Sequence, residues 1–247
     1  PPRPSSPPRS SANWARCPAS APGWTPQSWP STRCTRTRAR RRARSTSHTS
    51  RTGTARRRLE ASLAAWAAAP PPPESFAAWA HRTTARRLDA LPEVAARLAG
   101  LPATLTAQVV HGDLSSPNLL LRGPSVAALI DFRPPGRRRS AAWELGRIVL
   151  DPRTVLARPG DWIPGLARAV DAYRAANPGL PAEDLVAVPR VTAGYLACSV
   201  YPLSEPLHGP AALTPALEAY GRARDEAATV LWEGLEEAEG VLRDLVL

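Results

Sequence analysis

Residues 111–132 read HGDLSSPNLLLRGPSVAALIDF. Two short apolar runs, 119–121 and 126–130, flank the turn-forming sequence Arg122-Gly123-Pro124-Ser125, a pattern that predicts a β-hairpin. Asp113 and Asn118 precede the first strand and Asp131 ends the second, so the hairpin carries two carboxylates and an amide oxygen to one edge. Magnesium takes oxygen ligands, keeps several waters and usually binds one or two carboxylates together with substrate phosphates. The set suits Mg²⁺, with a further group nearby to handle a hydroxyl proton.

Outward from the hairpin the sequence is helical. Segments 59–69 and 74–98 are rich in Ala, Leu and Arg, separated by Pro70 to Pro73, which no helix interior tolerates. In the second, Phe76, Trp79, Ala80 and Thr83 recur at helical spacing. Further helices are predicted over 141–150, 162–176, 182–201 with Pro189 near its first turns, and 214–245, where Glu233, Glu236, Glu237 and Glu239 make a solvent face. No internal repeat of fixed period is present. The expected fold is mainly α with one small β-hairpin.

Composition divides the 247 residues sharply. Residues 1–58 contain no Val, Ile, Leu, Phe, Tyr, Asp or Glu, and hold 14 of the 32 arginines. Such a segment cannot bury enough apolar surface to fold and is expected to be a disordered basic tail. All 21 acidic residues and the other 18 arginines fall in 59–247, so the net charge of +11 belongs to the tail and the domain itself is mildly acidic. A nucleic-acid partner, bound through counterion release, would therefore be a partner of the tail alone.

Cys17, Cys34 and Cys198 are odd in number and lack CxxC spacing, which speaks against a disulfide framework or a zinc site and for a reducing, cytoplasmic location. No apolar run approaches the roughly 18 residues of a membrane span. The N-terminal segment has no apolar middle like that of a secretory signal, and its prolines and missing aliphatic face argue against a transit peptide. His48, His81 and His208 are isolated, and Ser115 and Ser116 lack a nucleophile elbow. Tyr195, Tyr201 and Trp232 are candidates for an acceptor pocket or for core.

The motif itself resembles a known family. HGDLSSPN followed by LIDF is similar to the catalytic and metal loops of the aminoglycoside phosphotransferase and choline kinase family, relatives of the protein kinases. Those kinases carry H-R-D-x-x-x-x-N and then D-F-G; here His111, Asp113 and Asn118 keep that spacing, followed by Asp131 and Phe132. The resemblance covers residues 59–247 and implies a protein-kinase-like C-terminal lobe that transfers phosphate from ATP to a hydroxyl of a small molecule. It implies that Asp113 orients the acceptor hydroxyl and takes its proton, that Asn118 and Asp131 hold the Mg²⁺ bridging the nucleotide's phosphates, and that His111 braces the loop. The stretch AAWELGRI, 141–148, is similar to the helix after the metal loop, where an acidic residue anchors that loop; Glu144 stands there.

The sequence departs from the family in two places. RPPGRRRSAAWE lacks the usual Gly-Asp-Pro and puts Arg133, Arg137, Arg138 and Arg139 near the metal loop, as a solvated basic loop or as a receiver of an anionic group. The family's nucleotide lobe, a β-sheet with a phosphate-covering loop and a strand lysine, is not visible, and the chain contains no lysine. Residues 1–58 are then either a real basic tail or a GC-rich coding stretch read out of frame, and the phosphotransferase is expected to be incomplete in this chain. The alternative function is a non-catalytic module whose Arg-rich tail contacts nucleic acid. For an enzyme, Glu205, Asp225 and Glu226 are the acidic candidates that would favour a cationic acceptor.

Overall fold

A computed structural model describes residues 41–44, 48–123, 125–133, 138–209 and 213–247. Helix α1, His48–Ala68, buries Ala55, Leu59 and Trp66 along one face and stops before the proline run. Helix α2, Phe76–Leu98, starts where the Ser75 hydroxyl accepts the Ala78 N–H at 3.1 Å. Its buried positions Phe76, Ala80, Thr83, Arg87, Leu91, Val94 and Leu98 follow the helical period. The two helices pack together, with Ala55, Leu59 and Leu91 in one contact cluster and Trp66, Phe76 and Ala80 in another with Leu203.

The β-structure is larger than the single hairpin expected. Strand β2, Thr104–Val109, is central in a three-stranded antiparallel sheet, with β1, Arg41–Arg44, on one side and β5, Arg138–Ser140, on the other. The register pairs Arg41 with Ala107 and Ala107 with Ser140. The expected hairpin is present as β3, Leu119–Arg122, and β4, Ser125–Leu129, in register Leu119 to Leu129 with an irregularity between Leu120 and Leu121. Leu120, Leu121, Leu129 and Ile130 are exposed on it.

Most of the core lies in the C-terminal helices: α3, Ala141–Val149; α4, Pro152–Ala157; α5, Trp162–Ala176; α6, Ala182–Val186; α7, Val188–Cys198; α8, Glu205–His208; α9, Pro215–Glu233; and α10, Leu235–Val246. Leu166, Val170, Val188, Leu231 and Leu242 are fully enclosed, each contributing about 1.5–3 kcal/mol through burial. Gly146 lets α3 approach α7, since a Cβ there would overlap the Thr192 side chain. The fully buried Asp184 of α6 accepts the Thr106 N–H at 2.7 Å and so ties the helices to β2.

Three expectations are corrected. The helix expected over 182–201 divides at Ala187 and ends at Cys198, because Pro189 supplies no amide hydrogen and suits a first turn. The helix expected over 214–245 is two, broken at Gly234, with Thr214 as the cap of α9. The disorder expected over 1–58 falls mostly outside the described residues, but 41–44 form β1 and α1 already runs from His48 through position 58. Small side chains suffice there: Thr52 and Ala55 are buried without large aliphatics.

Candidate functional site

The loop 111–118 and the segment 130–133 meet at the open end of the hairpin. His111 is 7% exposed and ties them together. Its Nε2 lies 2.8 Å from the Ile130 carbonyl oxygen, and its Nδ1 lies 3.3 Å from the Asp113 amide nitrogen. A carbonyl only accepts and an amide N–H only donates, so this pattern specifies the imidazole with its proton on Nε2. The Arg133 N–H donates back to the His111 carbonyl at 3.0 Å, and the Phe132 ring packs on the imidazole with centroids 4.2 Å apart.

Gly112 adopts φ +84°, and a Cβ there would come within 2.8 Å of the Arg133 Cβ, so only glycine fits. Its N–H donates to Glu144 Oε2 at 3.2 Å, while the Leu114 N–H donates to Oε1 at 3.4 Å. Glu144 is 9% exposed in the first turn of α3, where the positive end of the helix dipole favours a carboxylate. Glu144 thus holds the 111–114 loop.

Asn118 is fixed at three atoms. Its Nδ2 donates to the Asp113 carbonyl at 2.8 Å, its N–H to Ser115 O at 2.9 Å, and its carbonyl accepts the Ile130 N–H at 3.1 Å. Side-chain Oδ1 is left as the oxygen the amide can offer a cation. Asp131, next to Ile130, is exposed at φ +60°, a left-handed conformation that aspartate tolerates better than most residues. Among the described residues its carboxylate takes no hydrogen bond or ion pair. An amide oxygen and a free carboxylate on adjoining strand ends fit the oxygen-only preference of Mg²⁺. No group of three or more His, Cys, Asp or Glu side chains gathers among the described residues.

Asp113 is charge-compensated on both oxygens. Arg133 Nη2 donates to Oδ2 at 2.9 Å, and Arg147 Nη2 makes a short contact to Oδ1. Arg147 also donates to the Tyr195 hydroxyl at 2.9 Å, and Tyr195 meets Trp143 edge-on. Sequence reasoning missed Arg147, although its place three residues after Glu144 puts both on one face of α3.

The other candidates scatter. Arg138 donates to the Ala107 carbonyl at 3.5 Å, Arg139 lies over Trp143, and Arg137 is outside the described residues. Ser115 Oγ is 3.5 Å from the Asp113 carbonyl, and Ser116 begins a 3₁₀ turn of the same loop. Trp232 lies under Arg97, Tyr201 is exposed, and His81 stacks with Trp66. Asp225 is ion-paired with Arg86 and Arg87.

Residues 38–134 match the phosphotransferase enzyme family. The match takes in His111, Asp113, Asn118, Asp131 and Arg133 and agrees with the resemblance carried by the motif. It begins at residue 38, inside the segment read from composition as tail, and stops before α3, so Glu144 and Arg147 lie beyond it. No curated protein and no solved structure matches the chain. Among the described residues, no helix is long and apolar enough to cross a membrane.

Proposed function

We propose that this chain carries the catalytic loops of an ATP-dependent phosphotransferase that acts on a hydroxyl of a small molecule. The observation that carries the reading is the network joining the two loops: His111 bonded to Ile130, Arg133 to His111, and Asn118 to both Asp113 and Ile130, all within the matched segment. In it Asp113 receives the acceptor hydroxyl and its proton. Both of its oxygens are occupied, so the hydroxyl takes the place of Arg133, whose side chain is 63% exposed. Such exposed ion pairs are worth only about 0–1 kcal/mol. Asn118 Oδ1 and the Asp131 carboxylate would hold Mg²⁺, which when bound neutralises charge on the nucleotide's phosphates. His111 and Glu144 keep the loop backbone in place, and the phosphotransferase lobe takes in β1 and α1 together with residues 59–247.

With no lysine in the chain, the cation that this chemistry puts on the phosphates has to be arginine or to come from another polypeptide segment. We read the chain as an incomplete phosphotransferase for that reason, working in the cytoplasm. Nothing in the fold or in the comparisons favours the alternative of a nucleic-acid module, whose arginine-rich segment lies mostly outside the described residues.

Calorimetric titration with Mg-ATP tests the reading. Binding to the wild type that disappears in Asp131→Asn supports it; no heat with the wild type, or equal binding by the variant, overturns it.

A further inference from the structure

Beyond Asp113 lies a buried guanidinium, that of Arg224, with no matching anion among the described residues. From Arg147 on α3 a cluster continues across Tyr195 of α7 to Arg224 of α9. The Cζ atoms of Arg147 and Arg224 lie 5.6 and 5.3 Å from the Tyr195 ring centre. Arg224 Cζ is also 5.6 Å from the Tyr220 ring, and its Nη1 makes a long hydrogen bond, 3.4 Å, to the Tyr220 hydroxyl. Arg224 is 4% exposed. Among the described residues its Nε and Nη2 have no hydrogen-bond partner, and no carboxylate pairs with it; Arg147 Nε is buried and unpartnered in the same way.

Three of the neighbouring acids are already paired. Asp113 is held by Arg133 and Arg147, Asp225 by Arg86 and Arg87, and Asp151 by Arg153, which itself lies over Tyr220. The Glu205 carboxylate lies beside Gly209 and acts on Tyr201, and among the described residues it makes no ion pair with Arg224. A guanidinium cannot shed its proton, and burying one without an anion is costly even where aromatic faces return part of the loss. Unsatisfied buried donors of this kind have room for an acceptor that the protein itself does not supply.

We propose that Arg224 and Arg147 form a subsite for an acidic oxyanion, a carboxylate or phosphate, carried by the molecule whose hydroxyl Asp113 receives. The role of Asp113 rests on the phosphotransferase reading; the anion site does not. The planar donor fork of arginine matches both oxyanions. Tyr195 and Tyr220, both half-buried, lie against the Arg224 guanidinium, and an anion that displaces the long Tyr220 hydrogen bond meets Nη1 first, with Nε and Nη2 of the same planar group still unpartnered among the described residues. In the sequence, Glu205, Asp225 and Glu226 are the acidic residues that would favour a cationic acceptor if they stood at the site, which left the acceptor open. Asp225 is consumed by ion pairs and Glu226 is exposed, so the charges that α3 and α9 bring to Tyr195 are those of Arg147 and Arg224, with Glu205 of α8 acting on Tyr201 nearby.

The test is calorimetry on the full chain, without nucleotide, using glycerate, glycerol 3-phosphate and glycerol as probes. At least one of the anions binds about tenfold or more tightly than glycerol, a preference within reach of one charge-assisted contact. Which anion binds distinguishes carboxylate from phosphate. Arg224→Met removes the preference, whereas Arg56→Gln on the exposed side of α1 keeps it. Equal affinity for the three probes, no binding of either anion, or a preference that survives in Arg224→Met overturns the proposal. Should Arg224→Met fail to melt cooperatively, Arg147→Met carries the same test. Mg-ATP titrated into the same samples separates the two readings: anion binding through Arg224 without nucleotide binding defeats only the phosphotransferase reading, and the converse defeats only this one.

Discussion

Glu144 accepts the backbone N–H of Gly112 at 3.2 Å and, with its other oxygen, serves Leu114 two residues on. A side chain from the first turn of α3 therefore sets the path of the loop on which Asp113 sits. Glu144→Gln puts an amide NH₂ against one of those donors. Urea unfolding of that variant should show a loss of about 1–3 kcal/mol, the cost of leaving a buried donor unsatisfied. Glu144→Asp, one methylene shorter, should keep one of the two bonds and lose less.

Asp131 stands at φ +60°. Replacing it with glycine removes the left-handed penalty, which is of order 1 kcal/mol for a non-glycine residue. Asp131→Gly should raise the urea midpoint while abolishing Mg-ATP binding, a separation of stability from function expected where strain is kept at a site. A variant less stable than the wild type would show that Asp131 has a structural role.

Arg87 of α2 is 8% exposed and joins three helices. It pairs with Asp225 at 2.9 Å and donates to the Leu196 and Ser199 carbonyls at 3.1 and 2.8 Å. Burial lowers its pKa, and the Asp225 carboxylate opposes that shift. Arg87→Ala should cost about 3–5 kcal/mol by breaking a buried pair. Arg86, 63% exposed on the same aspartate, should cost under about 1 kcal/mol when replaced by alanine. Chemical denaturation of the two variants side by side checks the contrast.

Burial pushes the Cys198 thiol up to about 11 from 9.0, with nearby Arg51 and Arg87 opposing the shift. The folded state thus binds the proton more tightly than the unfolded one. Its contribution is fully present below pH 9 and is lost as pH rises toward 11. Stability of the wild type should fall over that window more than stability of Cys198→Ala, and equal curves would remove Cys198 as the cause.

The parts legible in sequence were those with local signals. The range 162–176 was read as a helix and is α5, and the hairpin followed from two apolar runs around a glycine turn. Strands β1 and β5, RRAR and RRS, carry no apolar alternation, since they join the sheet through backbone pairing with β2. The break at Gly234 was hidden because apolar spacing continues across it in LWEGLEEAEGVL. At the site, His111, Asp113, Asn118 and Asp131 were visible through their spacing. Arg147 and Arg224 were not, because what marks them is buried guanidinium nitrogen with no hydrogen-bond partner among the described residues, a property that exists only once α3, α7 and α9 have packed.

The course of α1 through position 58 has a practical meaning for dissecting the chain. Trimming at Leu59, where composition changes, would leave α2 without the Ala55 contact to Leu91 and would strip β1 from β2. The remaining polypeptide would begin with an unpaired sheet edge, a template for intermolecular strand pairing. A fragment starting near residue 38 should stay monodisperse, while one starting at residue 59 should aggregate on concentration.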